Sequence, residues 1–276
     1  MLTPLLAELT TVDLSRSGLA STPLATELGT SDSVDLATWI EYWWACARYP
    51  GEDVPDLEAR IDTLLTLWRT PIDGGWERGV DAQLLGPRYR RGDAAAPHSG
   101  EHAIEAAVLA DPIEGLSCFS GTVIDGVNAV PLAMDRCGGR AGNVEADLFL
   151  LVEDGPNQSV LVVEVKASAN NAWYAAIENL LQMRLTKESR TARSLFEGRP
   201  ANACLAHADG AALSALPHIG VVLAPPDFYS QKGKKANAVA PTQDLLRRFA
   251  DEVGVTVVLA TWNAAGRKID AVPPCG

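Results

Sequence analysis

Within residues 142–184 charged side chains stand where an apolar strand should bury them, and this conflict constrains the fold more than any other feature of the 276-residue chain. Residues 147–152 and 159–167 are rich in aliphatic and β-branched side chains. Between them, Glu153-Asp154-Gly155-Pro156-Asn157-Gln158 offers Asp-Gly and Pro-Asn turn steps. The pattern predicts a β-hairpin. If Val152 pairs with Ser159, antiparallel partners sum to 311, and Asp147 stands directly opposite Glu164.

Alternation along the second strand puts Val160, Val162, Glu164 and Lys166 on one face and Leu161, Val163 and Val165 on the other. A run as apolar as Val160-Leu161-Val162-Val163 belongs to a strand covered on both faces, which should not end in two charges unless they are paired or bind something. Two facing carboxylates repel, and the repulsion is relieved by sharing a proton or by binding a divalent cation. A neighbouring lysine makes the cation the more useful choice, since it can steady a water or a developing negative charge.

Asp147, followed seventeen positions on by Glu164-Val165-Lys166, resembles the signature of the PD-(D/E)xK nuclease superfamily. Residues 171–185 read as a helix just after the lysine strand, with an apolar stripe of Ala172, Ala175, Ala176, Leu180 and Met183, and with Glu178 and Gln182 one turn apart. Gln182 looks like the glutamine that several branches carry there. Residues 99–109 look like the family's first core helix, which implies a further acid near the metal: Glu105 matches best, with Glu101 on the same face in reserve. Two positions depart from the pattern. Ala146 stands where the family name has proline, and Thr186 stands where the RecB-like branch has tyrosine.

The resemblance implies an α/β fold, a restriction-endonuclease-like mixed sheet flanked by helices. It also implies that Asp147, Glu164 and the carbonyl of Val165 hold Mg²⁺ (or Mn²⁺), that Lys166 orients the attacking water, and that Glu105 and Gln182 complete the site. The bland alternative for Glu164 and Lys166 is a salt-bridged strand end. For Glu105 it is an exposed helix acid, and for Gln182 an ordinary surface glutamine. Glu145 shares a face with Asp147 or merely begins the strand, and His102 can approach the site beside Glu101. The other histidines, His98, His207 and His218, show no ligand spacing.

Residues 1–92 form a helical N-terminal module in this reading, and residues 93–276 the nuclease-like domain. Residues 36–48 place Trp39, Ile40, Trp43, Trp44 and Ala47 on one side of a helix, and residues 56–69 repeat the pattern with Leu57, Ile61, Leu64, Leu65 and Leu67. The module is strongly acidic, a surface that repels phosphate backbones and suits a protein partner. Glycines, Pro87 and Arg88-Tyr89-Arg90-Arg91 between residues 73 and 97 mark the boundary. Towards the C-terminus, residues 219–224 and 255–261 read as buried strands around a helix at residues 241–253, a βαβ ending.

The formal net charge of −12 is wrong in sign for a protein that must hold long duplex by itself. Basic residues nevertheless gather beside the proposed site, at Arg184, Lys187, Arg190, Arg193 and Arg199, and in the loop of residues 225–237 with Lys232, Lys234 and Lys235. Phe228 and Tyr229 in that loop offer stacking surface for a nucleic-acid strand. Arg184, Lys187 and the three loop lysines are therefore the expected substrate-binding set. Five scattered cysteines without CxxC spacing, no secretory leader and no long apolar run give the expectation of a cytoplasmic protein without a membrane span. The expected activity is Mg²⁺-dependent hydrolysis of phosphodiester bonds in DNA. The competing expectations are a catalytically silent nuclease-like module that binds a protein or nucleic-acid partner, and a metal-dependent enzyme on a small phosphorylated substrate.

Overall fold

The structure, a computed structural model, describes residues 34–47, 54–73, 100–110, 113, 115–116, 119–133, 144–168, 171–188, 215–230 and 238–273. Its centre is the hairpin of β5 (Val144–Asp154) and β6 (Asn157–Val165), which pairs Val152 with Ser159 as the sequence predicts. The turn is only Gly155-Pro156. Gly155 takes φ 58°, and a two-residue hairpin turn needs such a positive angle at its first position, where glycine adopts it without a Cβ clash.

Around the hairpin a mixed sheet of seven strands runs in the order β3-β9-β8-β7-β6-β5-β4. β4 is Thr122–Ala133, β7 His218–Ala224, β8 Val257–Asn263, β9 Lys268–Ala271 and β3 the short pair Gly115–Leu116. β5 runs antiparallel to both β4 and β6, β6 to β8 are parallel, β9 returns antiparallel to β8, and β3 lies parallel to β9. The protein is thus α/β, with α3 (Glu101–Ala110), α4 (Ala172–Glu188), the short α5 (Pro226–Tyr229) and α6 (Val239–Val253) joining the strands. Among the described residues no helix is long and apolar enough to cross a membrane.

Side-chain alternation divides the core into two layers. Phe149, Leu151, Val160, Val162 and Val222 face α4, while Leu148, Leu150, Leu161, Val163, Val165 and Val221 face Val108 and Leu109 of α3. β6 is therefore covered on both sides, which is why its sequence is continuously apolar rather than alternating.

The acidic N-terminal part contributes α1 (Leu36–Ala47) and α2 (Val54–Arg69), flanked by the paired dipeptides β1 (Val34–Asp35) and β2 (Ile72–Asp73). These helices lie over α4 and share its core. Trp39 stacks on Trp43 with centroids 4.9 Å apart, and Phe249 of α6 meets both Trp43 and Trp68 edge-on. Polar indole atoms tie the layers: Trp43 Nε1 donates to the Ile177 carbonyl at 2.8 Å, and Trp173 Nε1 donates to the Cys46 carbonyl at 3.2 Å. Trp39 and Trp43 are core, and Trp44 is half-buried with its ring stacked on Tyr174. The boundary expected near residue 92 lies outside the described residues.

Candidate active site

The site forms where the β5–β6 ladder stops. The last rung is Leu148 with Val163; Asp147 and Glu164 come next in register, but instead of a backbone rung the Asp147 carboxylate accepts the Val165 N–H at 2.7 Å. The β4 side is interrupted at the same place. Rungs join Asn128 to Leu148 and Val130 to Ala146, with none between Ala129 and Asp147, and Ala129 carries a φ of 52°. A non-glycine residue in the left-handed region costs on the order of 1 kcal/mol, and such strain clusters at functional positions. Asp147 is thereby freed from both ladders. A strand residue presents its N–H and C=O on the same side, so the Val165 carbonyl faces this opening too.

Glu164 and Lys166 are both buried, at 2% and 6% exposure. Lys166 Nζ donates to Glu164 Oε1 and lies 2.8 Å from Glu178 Oε2 on α4. The second oxygen of Glu164 accepts from Gln182 Nε2, which also donates to the Glu145 carbonyl at 2.9 Å. Gln182 is in turn oriented by Asn179, whose Nδ2 donates to Gln182 Oε1 at 3.2 Å and to the Val162 carbonyl at 2.9 Å. α4 can come this close because β7 carries Gly220 under it: a Cβ there would fall 2.2 Å from Asn179 Oδ1.

Glu105 approaches from α3, on the other side of the sheet. Its oxygens are held by His102 Nδ1 at 3.0 Å and by Asn128 Nδ2 at 2.9 Å, so it adds charge to the site without touching the lysine.

Burial pushes the Asp147 carboxyl up from 3.8 to about 7, against the Val165 N–H and Lys166, and Glu105 and Glu178 push in the same upward direction. Glu164 lies well above its ordinary value for the same reason, burial first and then the Asp147 and Glu178 charges. Burial would lower the Lys166 pKa, but Glu164 and Glu178 overcome it and hold the ammonium above 10.5. Lys166 is therefore a fixed cation at neutral pH, suited to hold a water or an anionic oxygen and unsuited to act as a base. Glu164 and Glu178 pair with it, and Asp147 lies within range of its charge.

No family model, curated protein or solved structure matches this chain.

What the site can do follows from its donors. Asp147, Glu164 and the Val165 carbonyl are hard oxygen donors, a set suited to Mg²⁺ or Mn²⁺ rather than to a thiophilic metal. The raised pKa values of the two carboxyls come first from burial and then from neighbouring carboxylates, and a divalent cation would offset both. The donors fit, but they are engaged: among the described residues no three His, Cys, Asp or Glu side chains already stand around a common metal position, and Lys166 occupies the space between Glu164 and Glu178.

Several expected residues play other parts. Gln182 is neither a surface residue nor free to meet a phosphate, because it is 1% exposed and committed to Glu164 and Glu145. Arg184 turns away from the cluster, its guanidinium 5.8 Å from the Trp68 ring centroid and in reach of the Thr70 carbonyl at 3.4 Å. That follows from helix geometry, since two residues beyond Gln182 lies nearly the opposite face. Burial lowers its pKa. Phe228 is buried, and Tyr229, half-buried, packs edge-on against it and donates its hydroxyl to the Val222 carbonyl at 2.7 Å, so the pair is folded inward. Glu101 remains on α3, half-buried. The Lys187 side chain, Arg88 to Arg91, Arg190, Arg193, Arg199, Lys232, Lys234 and Lys235 lie outside the described residues. Glu178 is the site residue that sequence reasoning passed over, although its one-turn spacing from Gln182 was visible.

Proposed function

We propose that the protein is a Mg²⁺-dependent nuclease that hydrolyses phosphodiester bonds in DNA, on a sheet of the restriction-endonuclease-like kind. One observation carries this reading. Glu164-Val165-Lys166 ends an inner strand in a buried, charge-crowded opening beside Asp147, at the point where both ladders of β5 are interrupted.

Asp147, Glu164 and the Val165 carbonyl would hold the cation. When bound, it would polarise the scissile phosphate and lower the pKa of a coordinated water. Lys166 keeps its proton, so its work is to hold the attacking water or a phosphate oxygen by charge. Gln182 fixes the Glu164 carboxylate by one oxygen, and Asn179 fixes Gln182. Glu105, held by His102 and Asn128, supports the negative potential at Asp147.

A second reading is favoured by the pairing of Lys166 with both Glu164 and Glu178: a catalytically silent module whose carboxylates are satisfied internally and whose surface binds a protein or nucleic-acid partner. The two readings separate on metal. If the site takes a cation, millimolar Mn²⁺ or Mg²⁺ raises the melting temperature of the wild type, because the cation binds the folded state alone, and Glu164→Ala abolishes the shift. An unchanged wild-type melting curve would favour the silent module.

A further inference from the structure

Lys166 has two carboxylate partners, and they are not equivalent. It donates to Glu164, whereas Glu178 Oε2 lies 2.8 Å from the ammonium without forming an aligned hydrogen bond. Glu164 is 3% exposed in its side chain and clamped through its other oxygen by Gln182; Glu178 is 21% exposed and sits one turn earlier on the same helix. A cation bound by Glu164 would compete directly with the ammonium that now occupies it. A buried ammonium left without a partner is strongly disfavoured. The fold already holds the alternative partner within contact distance.

We propose that Glu178 is a positioning residue for Lys166: the carboxylate onto which the ammonium settles when Glu164 is given over to a divalent cation. This rests on the metal reading of the site and adds the means by which one opening accommodates both charges. Lys166 moves by no more than the reorientation of its terminal bonds, and Glu178 keeps it charged and beside the reacting phosphate. Without Glu178 the ammonium would stay on Glu164 and exclude the cation.

The test is calorimetric titration of Mn²⁺ into wild type, Glu178→Gln, Glu178→Asp, Lys166→Met and the Lys166→Met/Glu178→Gln double variant, with no substrate present. Denaturation midpoints establish that each variant is folded. Glu178→Gln should weaken Mn²⁺ binding about tenfold, in the range of coupling seen between contacting charges. Lys166→Met should bind as tightly as wild type or more so, and adding Glu178→Gln to it should change affinity less than about threefold, because no ammonium remains to be rehoused. Glu178→Asp, which keeps the charge, should restore most of the affinity. Equal weakening by Glu178→Gln in both backgrounds would make Glu178 a metal ligand and overturn the proposal. Unchanged affinity in Glu178→Gln would overturn it as well, and in both cases wild-type Mn²⁺ binding would leave the nuclease reading standing. Failure of the wild type to bind Mn²⁺ would remove both.

Discussion

Asp147 should make the folded protein less stable at neutral pH than it need be. Its carboxyl rises from 3.8 to about 7 on folding, chiefly through burial. The folded state therefore binds this proton more tightly than the unfolded chain does. The resulting stabilisation is complete below pH 3.8 and is lost as pH climbs through about 7. At roughly 1.4 kcal/mol per tenfold in the proton equilibrium, the whole window is worth about 4 kcal/mol, of which roughly 2–3 falls between pH 5 and 8. Glu164 moves in the same direction, and part of its rise is caused by Asp147 itself. Lys166, raised above 10.5, stays charged throughout this window and does not blur the measurement. Asp147→Asn removes the titration while leaving an oxygen to accept the Val165 N–H. In buffer with a chelator, urea denaturation of both proteins at pH 5 and pH 8 should show the variant gaining on wild type by roughly 2–3 kcal/mol between the two. The same stability difference at both pH values would refute the claim that Asp147 is held in an environment hostile to its charge.

Three substitutions test the scaffold around the site. Gln182→Leu strips the donor from a buried Glu164 oxygen and from the Glu145 carbonyl, and should cost roughly 2–4 kcal/mol in denaturation experiments; a loss under about 0.5 would mean that the clamp is not formed. Gly220→Ala, whose Cβ would meet Asn179 Oδ1 at 2.2 Å and Val257 Cγ2 at 2.7 Å, should cost roughly 1–3 kcal/mol, and neutral behaviour would contradict the close approach of α4 to β7. Trp43→Phe keeps most of the ring packing but removes the buried indole donor from the Ile177 carbonyl, for roughly 0.5–1.5 kcal/mol of global stability; if only a local, non-cooperative change appears, α1 is not part of the common core.

The hairpin and the charged strand end were legible because they rest on local rules. A turn with glycine at the first position fixes a register, and period-2 alternation then fixes which residues share a face. The same register carried Asp147 to a place opposite Glu164, but the ladder ends one rung earlier, because Asp147 takes the Val165 N–H with its side chain. Nothing in sequence spacing announces that exchange. The stripe expected on α4 was correct as far as it went: Ala172, Ala175, Ala176, Leu180 and Met183 are all buried, but so are Trp173, Ile177, Leu181 and Leu185. A helix covered by the sheet on one side and by α1 and α6 on the other has little solvent face, so periodicity could not tell that Glu178 points inward. β9 left a faint signal, the alternation of Lys268-Ile269-Asp270-Ala271 after an Asn263-to-Gly266 turn, too short to separate from a loop. Phe228 and Tyr229 read as exposed because lysines follow them; a four-residue helix instead folds them back under β7.

The most direct test is cleavage. Supercoiled, linear and single-stranded DNA, and RNA alongside them, should be incubated in Mg²⁺ and in Mn²⁺ with wild type, Lys166→Met and Asp147→Asn. Lys166→Met keeps the buried aliphatic stem and removes the ammonium that pairs with Glu164, and Asp147→Asn removes a metal-binding charge. If Asp147 and Glu164-Val165-Lys166 form a catalytic metal site, wild type cuts DNA in a metal-dependent manner and neither variant does. Equal cutting by all three proteins, or no cutting of any substrate by wild type, would contradict it.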